Sequence, residues 1–229
     1  MRCAGVASLV IPLVVLSAAA CAAPSTAVES PGLEHAWREL FDGASLGAFA
    51  STPFGGEGEV SVVDGRIVLD AGSPLTGVTW GGEPLPQVDY ELELSATRLS
   101  GNDFFCGLTL PIGDAHATLV LGGWGGALCG LSSLDGRDAS ENETTTFRGF
   151  ESGREYRVRV LVTATRFRAW LDGESIVDVG LAGRRIGMRP EVARSRPFGI
   201  ACFATRAAVR GVRVRGVRVR GVRATVSGS

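Results

Sequence analysis

Few residues in this chain have both the type and the setting for chemistry. Asp103 precedes Phe104-Phe105, apolar neighbours that would raise a carboxyl's pKa by desolvation and suit it to act as a base, or leave it to cap a turn. His116 follows Gly113-Asp114-Ala115 at a loop-to-strand junction, where active groups of β folds often sit; a solvated loop histidine is the plainer alternative. Asp135, Asp138, Glu141 and Glu143 fall within nine residues. They could supply paired carboxylates, oxygen ligands for Ca²⁺ from Asp135 and Asp138, or only a solvated acidic loop; the spacing is not that of an EF-hand. Trp124 stands between Gly122-Gly123 and Gly125-Gly126, so small neighbours leave its ring open to the C–H face of a pyranose. Trp170 alternates with Arg166 and Arg168, opposite Phe167 and Leu171, which would turn it toward a concave sheet. Arg157 and Arg159 could join it in hydrogen-bonding hydroxyls, or simply face solvent. These residue types point to a saccharide or glycan partner.

Other chemistries find no support. No C-x-x-C spacing exists for a thiolate zinc site. Gly122 to Gly126 lacks the Lys-Ser/Thr end and following helix of a phosphate loop. No Ser-His-Asp order occurs in a nucleophile-elbow context. The second histidine, His35, lies in the entry segment and is expected at the surface.

The elements that must position these residues are strands. Val60–Val63 and Arg66–Leu69 flank Asp64-Gly65, and Arg166–Leu171 and Glu174–Val179 flank Asp172-Gly173. Asp-Gly between strands marks a type I′ hairpin, because both central residues need positive φ. Tyr90–Ala96 and Tyr156–Val162 alternate apolar and polar residues, as half-buried strands do. Phe104–Leu110, Ala117–Leu121 and Phe198–Phe203 read as shorter, more buried strands. Only Glu34–Phe41 has helical spacing, stopped by Asp42-Gly43. Many short strands without crossover helices predict an all-β antiparallel sandwich or jelly roll.

Residues 1–20 form a secretory leader: Arg2, an apolar run from Val6 to Leu16, then Ala18-Ala19-Ala20. Cys21 follows as a candidate lipidation site, so the chain is expected to be exported as a cell-envelope lipoprotein, otherwise secreted, and to meet membrane only through that anchor. Residues 21–34 read as a flexible tether, 35–214 as the β-sandwich domain, and 215–229 as a basic tail. That tail belongs to a period-five repeat: Arg210-Gly211-Val212-Arg213-Val214 and two further copies. Five is odd, so in an unbroken strand successive copies would turn their valines to opposite faces. One copy should close the sheet, and the others should overhang. All 23 basic residues are Arg; seven lie in 206–229, leaving 16 against 24 acids before them, a net of −8. An acidic body with a basic tail is not the footprint of a nucleic-acid binder. Of five cysteines, Cys106, Cys129 and Cys202 remain in the domain, expected as buried free thiols or at most one bridge.

In order along residues 37–214, the motifs resemble the 3-keto-disaccharide hydrolase family. Trp37-Arg38-Glu39-Leu40-Phe41-Asp42-Gly43-Ala44-Ser45-Leu46 is similar to its opening motif. Val62-Val63-Asp64-Gly65-Arg66-Ile67, Asp89-Tyr90-Glu91-Leu92, the Tyr156 and Trp170 strands and Ala208–Val214 resemble its later strands. The resemblance implies a concanavalin A-like (laminin G-like) jelly roll and cleavage of 3-keto glycosides. Such cleavage proceeds by proton abstraction beside the carbonyl, elimination and hydration, so it needs a base and an acid. Asp103, His116 and Glu141 are the candidates, with Trp124 as platform. The chain departs from the family where Asn102-Asp103-Phe104-Phe105-Cys106-Gly107 replaces an asparagine-serine-glycine-isoleucine run and Pro111 stands near an arginine position. That departure favours the alternative of a non-catalytic carbohydrate-binding or adhesion module.

Overall fold

A computed structural model describes residues 36–217. The leader, Cys21, the tether, His35 and residues 218–229 lie outside the described residues. In chain order the strands are β1 (Arg38–Glu39), β2 (Phe49–Ser51), β3 (Val60–Val63), β4 (Arg66–Leu69) and β5 (Leu75–Trp80). There follow β6 (Tyr90–Ser100), β7 (Cys106–Ile112), β8 (Ala115–Gly122), β9 (Leu128–Ser132) and β10 (Thr146–Phe147). The last five are β11 (Glu155–Val162), β12 (Arg166–Leu171), β13 (Glu174–Gly180), β14 (Gly199–Phe203) and β15 (Arg206–Gly216).

They form two antiparallel sheets. The first runs β13-β12-β11-β6-β15-β4-β3, and the second β10-β9-β8-β7-β14-β5-β2. β15 shares one of its edges between two partners: Ala207–Val209 pair with β4, and Arg213 and Val214 pair with β1. The core lies between the sheets. Alternation puts Leu92, Leu94, Val158, Val160, Phe167 and Leu171 of the first sheet against Leu108, Leu110, Leu119, Leu121 and Ile200 of the second. The architecture is the expected all-β antiparallel sandwich.

Local chemistry explains the corners. Asp64 and Gly65 have φ of 50° and 73°, and Asp172 and Gly173 51° and 86°, the two positive values that a type I′ hairpin demands. A bulge falls inside the first copy of the repeat. The register of β15 on β6 shifts between Arg210 and Arg213, around Gly211 at φ 59°. Val209 before the bulge and Val212 and Val214 after it therefore all face the core. The closing strand also runs past residue 214: Arg215 and Gly216 remain in the ladder, and the Val217 amide donates to the Asp89 carbonyl.

The helix expected over Glu34–Phe41 is absent from residue 36 onward. Arg38 and Glu39 pair instead with β15, because burying Leu40 and Phe41 against the sandwich outweighs a marginal helical preference. Asp42 then turns the chain by accepting the amides of Ala44 and Ser45 at 2.8 and 3.0 Å. β5 and β9 escape the sequence pattern because Gly77 and Gly130 interrupt their alternation. Cys106, Cys129 and Cys202 are buried free thiols on the core side of the second sheet. Burial raises all three, Cys202 to about 12.

Candidate functional site

The outer face of the second sheet carries a groove of about 260 Å³. Its floor comes from alternate residues of four strands: Ser132, Thr118 with Val120, Phe203, and Leu75. Their odd–even partners Leu131, Leu119, Leu121 and Cys202 point into the core, so the pleat alone assigns these side chains to the groove. β7 contributes Gly107, where an added Cβ would lie 3.0 Å from Cε2 of Phe104. The missing side chain lets the Phe104 ring fold onto the floor, 5.7 Å from the ring of Phe203.

One wall is Asp103, Phe104 and Trp124; the other is Arg189, Glu191 and Val192. Trp124 is carried by the Gly123–Gly126 turn joining β8 to β9. Its own φ is 49°, with positive φ at Gly122, Gly125 and Gly126 around it. This left-handed run throws the indole outward, and the residue is 45% exposed. Beneath the turn lies Arg98, on the core side at the end of β6. Its Nη1 donates to the Gly126 carbonyl at 3.2 Å and its Nη2 to the Phe150 carbonyl, and its guanidinium lies 5.8 Å from the ring centres of both Phe105 and Phe150.

The expected site residues scatter. Asp103 lines the groove, but its Oδ1 accepts the Phe104 amide at 2.7 Å and its own amide donates to Thr205 Oγ1, the turn-capping alternative. His116 lies on the outer face, two pairing rows beyond Thr118, opposite Pro111. Burial and then the positive charge of Arg196 hold its pKa below the ordinary histidine value. Glu141 is exposed in the acidic loop and does not line the groove. The three proposed acid/base groups therefore do not converge.

The acidic loop spends its carboxylates on arginines. Asp135 accepts the Arg185 amide and pairs with Arg184 at 2.6 Å; both hold it below the usual range. Arg184 also pairs with Glu143. Asp138 pairs with Arg189, which in turn holds Glu191 at the groove wall. Asp135 and Asp138 thus act as struts paired with arginines, and among the described residues no three His, Cys, Asp or Glu side chains are grouped. Asn142 of the glycosylation-like Asn142-Glu143-Thr144 is buried. It donates to the carbonyls of Leu131, Arg137 and Asp138 and accepts from Thr144, so it is the hub that fixes this loop over β9.

Trp170, Arg157 and Arg159 lie on the other side of the sandwich, on the outer face of the first sheet. Arg159 stacks on Trp170 at 4.6 Å, and Arg157 pairs with Glu93 at 2.9 Å. They share no site with Trp124. Trp124 and Trp170 belong to different sheets, each on an outward face. Sequence reasoning missed Arg98, Phe203, Arg189 and Glu191. Only Phe203 had a signal, the alternation of Gly199, Ala201 and Phe203 on one face of β14.

No family model and no curated protein matches the chain. Solved structures do. A Bacillus subtilis protein of unknown function with a galectin-like fold aligns at a TM-score of 0.56 and 12% identity, over 83% of this chain and 99% of that one. The apo Crh5 transglycosylase aligns at 0.53 and 9% identity, over 82% and 87%. The carbohydrate recognition domain of Emp47p aligns at 0.50 and 12% identity, over 79% and 94%. At such identities the likeness is one of fold, a two-sheet jelly roll.

Proposed function

We infer that this is a saccharide-binding jelly-roll module whose ligand sits in the groove of the second sheet against Trp124. One observation carries the reading: a tryptophan held outward by four glycines at the mouth of a cleft that also presents Phe104 and Phe203. Such rings stack on the C–H faces of a pyranose, while Thr118, Ser132, Arg189 and Glu191 offer donors and acceptors to hydroxyls. The volume is at the small end of ligand sites and suits one sugar unit better than a long chain. Similar folds in a carbohydrate recognition domain and in a transglycosylase also solved with NAG support a saccharide partner. The leader and Cys21 support an exported, lipid-anchored module, which mass spectrometry of the membrane-extracted protein would test through an acylated Cys21.

A second reading, cleavage of 3-keto glycosides, is favoured by His116. Held neutral on the groove face, it is in the protonation state a general base needs.

Titration of the purified protein with a panel of mono- and disaccharides, including 3-keto-trehalose and 3-keto-lactose, separates the readings. Saturable binding without release of free sugar is the expected result. Turnover establishes the hydrolase instead, and neither binding nor turnover overturns both. The Trp124→Ala variant should weaken Kd at least tenfold, about 1.4 kcal/mol.

A further inference from the structure

The outer face of the first sheet is a second, differently charged surface. Four arginines stand on it in two rows across β6. Arg159 of β11 and Arg215 of β15 share Glu91; Arg157 and Arg213 share Glu93. The carboxylates lie underneath, with side chains 1% and 10% exposed. The arginine side chains are more open, 63% exposed at Arg157, 40% at Arg159, 34% at Arg213 and 17% at Arg215. An approaching molecule therefore meets cations whose counter-charges are beneath the surface.

The arginines are also oriented in advance. Trp170 stacks under Arg159, and Trp37 under Arg215 and Arg213, at 4.2 to 4.6 Å. Each Glu is shared by two guanidinium groups, so each pair keeps one net positive charge. Arg157 uses only Nη2 on Glu93, and Arg159 only Nε on Glu91, leaving their other nitrogens as free donors. The pattern continues outward, where Arg166 and Arg168 share Asp178. Counting Glu39, 4.0 Å from Arg213, these six arginines stand against four acids, beside a balanced Arg210–Glu155 pair, on a chain that is net negative before residue 206. Beyond Val217 the sequence adds three arginines and no acid. The register staggers the four arginines: Arg159 and Arg213 flank Glu93, Arg157 lies level with Ser95 and Arg215 with Glu91, and Nη2 of Arg157 and of Arg213 meet on one Glu93 oxygen at 2.9 and 2.7 Å.

We propose that this face binds an acidic polysaccharide, a polymer bearing carboxylate or sulfate groups at regular intervals, through Arg157, Arg159, Arg213 and Arg215 and their outward continuation at Arg166 and Arg168. Two slanted rows of forked donors, each centred on a buried glutamate, match anions repeated along a polymer. The rows themselves have no exposed apolar side chain to enter lipid; the exposed Val63 sits on the edge strand β3. The inference does not rest on the groove of the second sheet.

The test is binding of the full-length protein to immobilised polygalacturonate, dextran sulfate and neutral dextran, and to phosphatidylserine vesicles, over a range of ionic strength. The expected result is salt-sensitive binding to one or both acidic polymers, none to dextran, and no displacement by a neutral saccharide that occupies the groove. The polygalacturonate and dextran sulfate arms decide between carboxylate and sulfate. The double variant Arg157→Gln, Arg168→Gln leaves no carboxylate bare, because Glu93 keeps Arg213 and Asp178 keeps Arg166. It should bind at least tenfold more weakly, with the slope of log K against log salt reduced by about one per arginine. Circular dichroism and thermal melting check its fold; if the pair unfolds, each single variant should still lose about one unit of slope. Absence of binding to both acidic polymers, undiminished binding by a folded variant, or equal or tighter binding to the vesicles would overturn the proposal.

Discussion

Arg98 donates a hydrogen bond to the carbonyl of Gly126, two residues past Trp124, from a position between the sheets that is only 7% exposed. No carboxylate pairs with it among the described residues. Its charge is met by the Gly126 and Phe150 carbonyls and by the rings of Phe105 and Phe150, and its Nε has no partner. The arginine is thus the tie that holds the Trp124 turn to the body of the sandwich.

Replacing it as Arg98→Met should leave both carbonyls without a buried donor, at a cost of about 2–4 kcal/mol in unfolding free energy. Urea denaturation measures that loss. The same variant should bind saccharide more weakly although no ligand-facing side chain has changed, because the Trp124 turn is released. Unaltered affinity in a folded Arg98→Met protein would show that the turn holds itself.

Gly107 makes room for Phe104, so Gly107→Val should push the ring off the floor and fill the groove. Overpacking of this kind costs about 1–3 kcal/mol, which is survivable, while saccharide binding should be lost. Calorimetric titration alongside a thermal melt distinguishes a closed groove from an unfolded protein.

Asn142→Ala removes the donor shared by three loop carbonyls and the acceptor used by Thr144. A loss of about 2–4 kcal/mol is expected. Because the loop carries Asp138, which fixes Arg189, the groove wall should loosen with it. Hydrogen exchange at residues 135–145 should rise well above the global rate; protection equal to that of the wild type would refute the hub assignment.

His116 gives a pH signature with a definite sign. Its folded-state pKa is depressed below the unfolded value by burial and by Arg196, so the unfolded chain binds more protons in between. Stability from this group is therefore full above the unfolded histidine value, near 6.5, and is lost as pH falls through the lowered folded value. Urea midpoints should decline from pH 7 toward pH 5.5 in the wild type and decline less in His116→Gln. Below that range the carboxylates take over. Although desolvation pulls Glu93 upward, hydrogen bonds from Arg213 and Arg157 hold it below the usual range; Arg210 does the same for Glu155 and Arg166 for Asp178. Their contribution is present above the unfolded carboxylate values and falls away as pH drops through the folded ones.

The sequence alone determined what depends on neighbours along the chain. Asp-Gly turns, strand alternation and the glycines around Trp124 are local, and they placed hairpins, inward faces and an outward indole correctly. They reached the sandwich because period-two burial on many short strands has few other packings. Only the tertiary structure decided which outward faces belong together. Trp124 and Trp170 look alike in the sequence, yet β8 and β12 lie in different sheets and turn them to opposite sides. It also decided where charges go. The sequence left the acidic loop open between ligands and a solvated loop, but long-range contacts bring Arg184 and Arg189, some fifty residues away, to pair with Asp135 and Asp138. Arg98 reads as one more polar position of a strand and is buried by a loop that nothing local predicts. The physical reason is the same in each case: the pleat fixes a side chain's face within its own strand, whereas strand order and loop return, set by packing of the whole core, fix what that face meets.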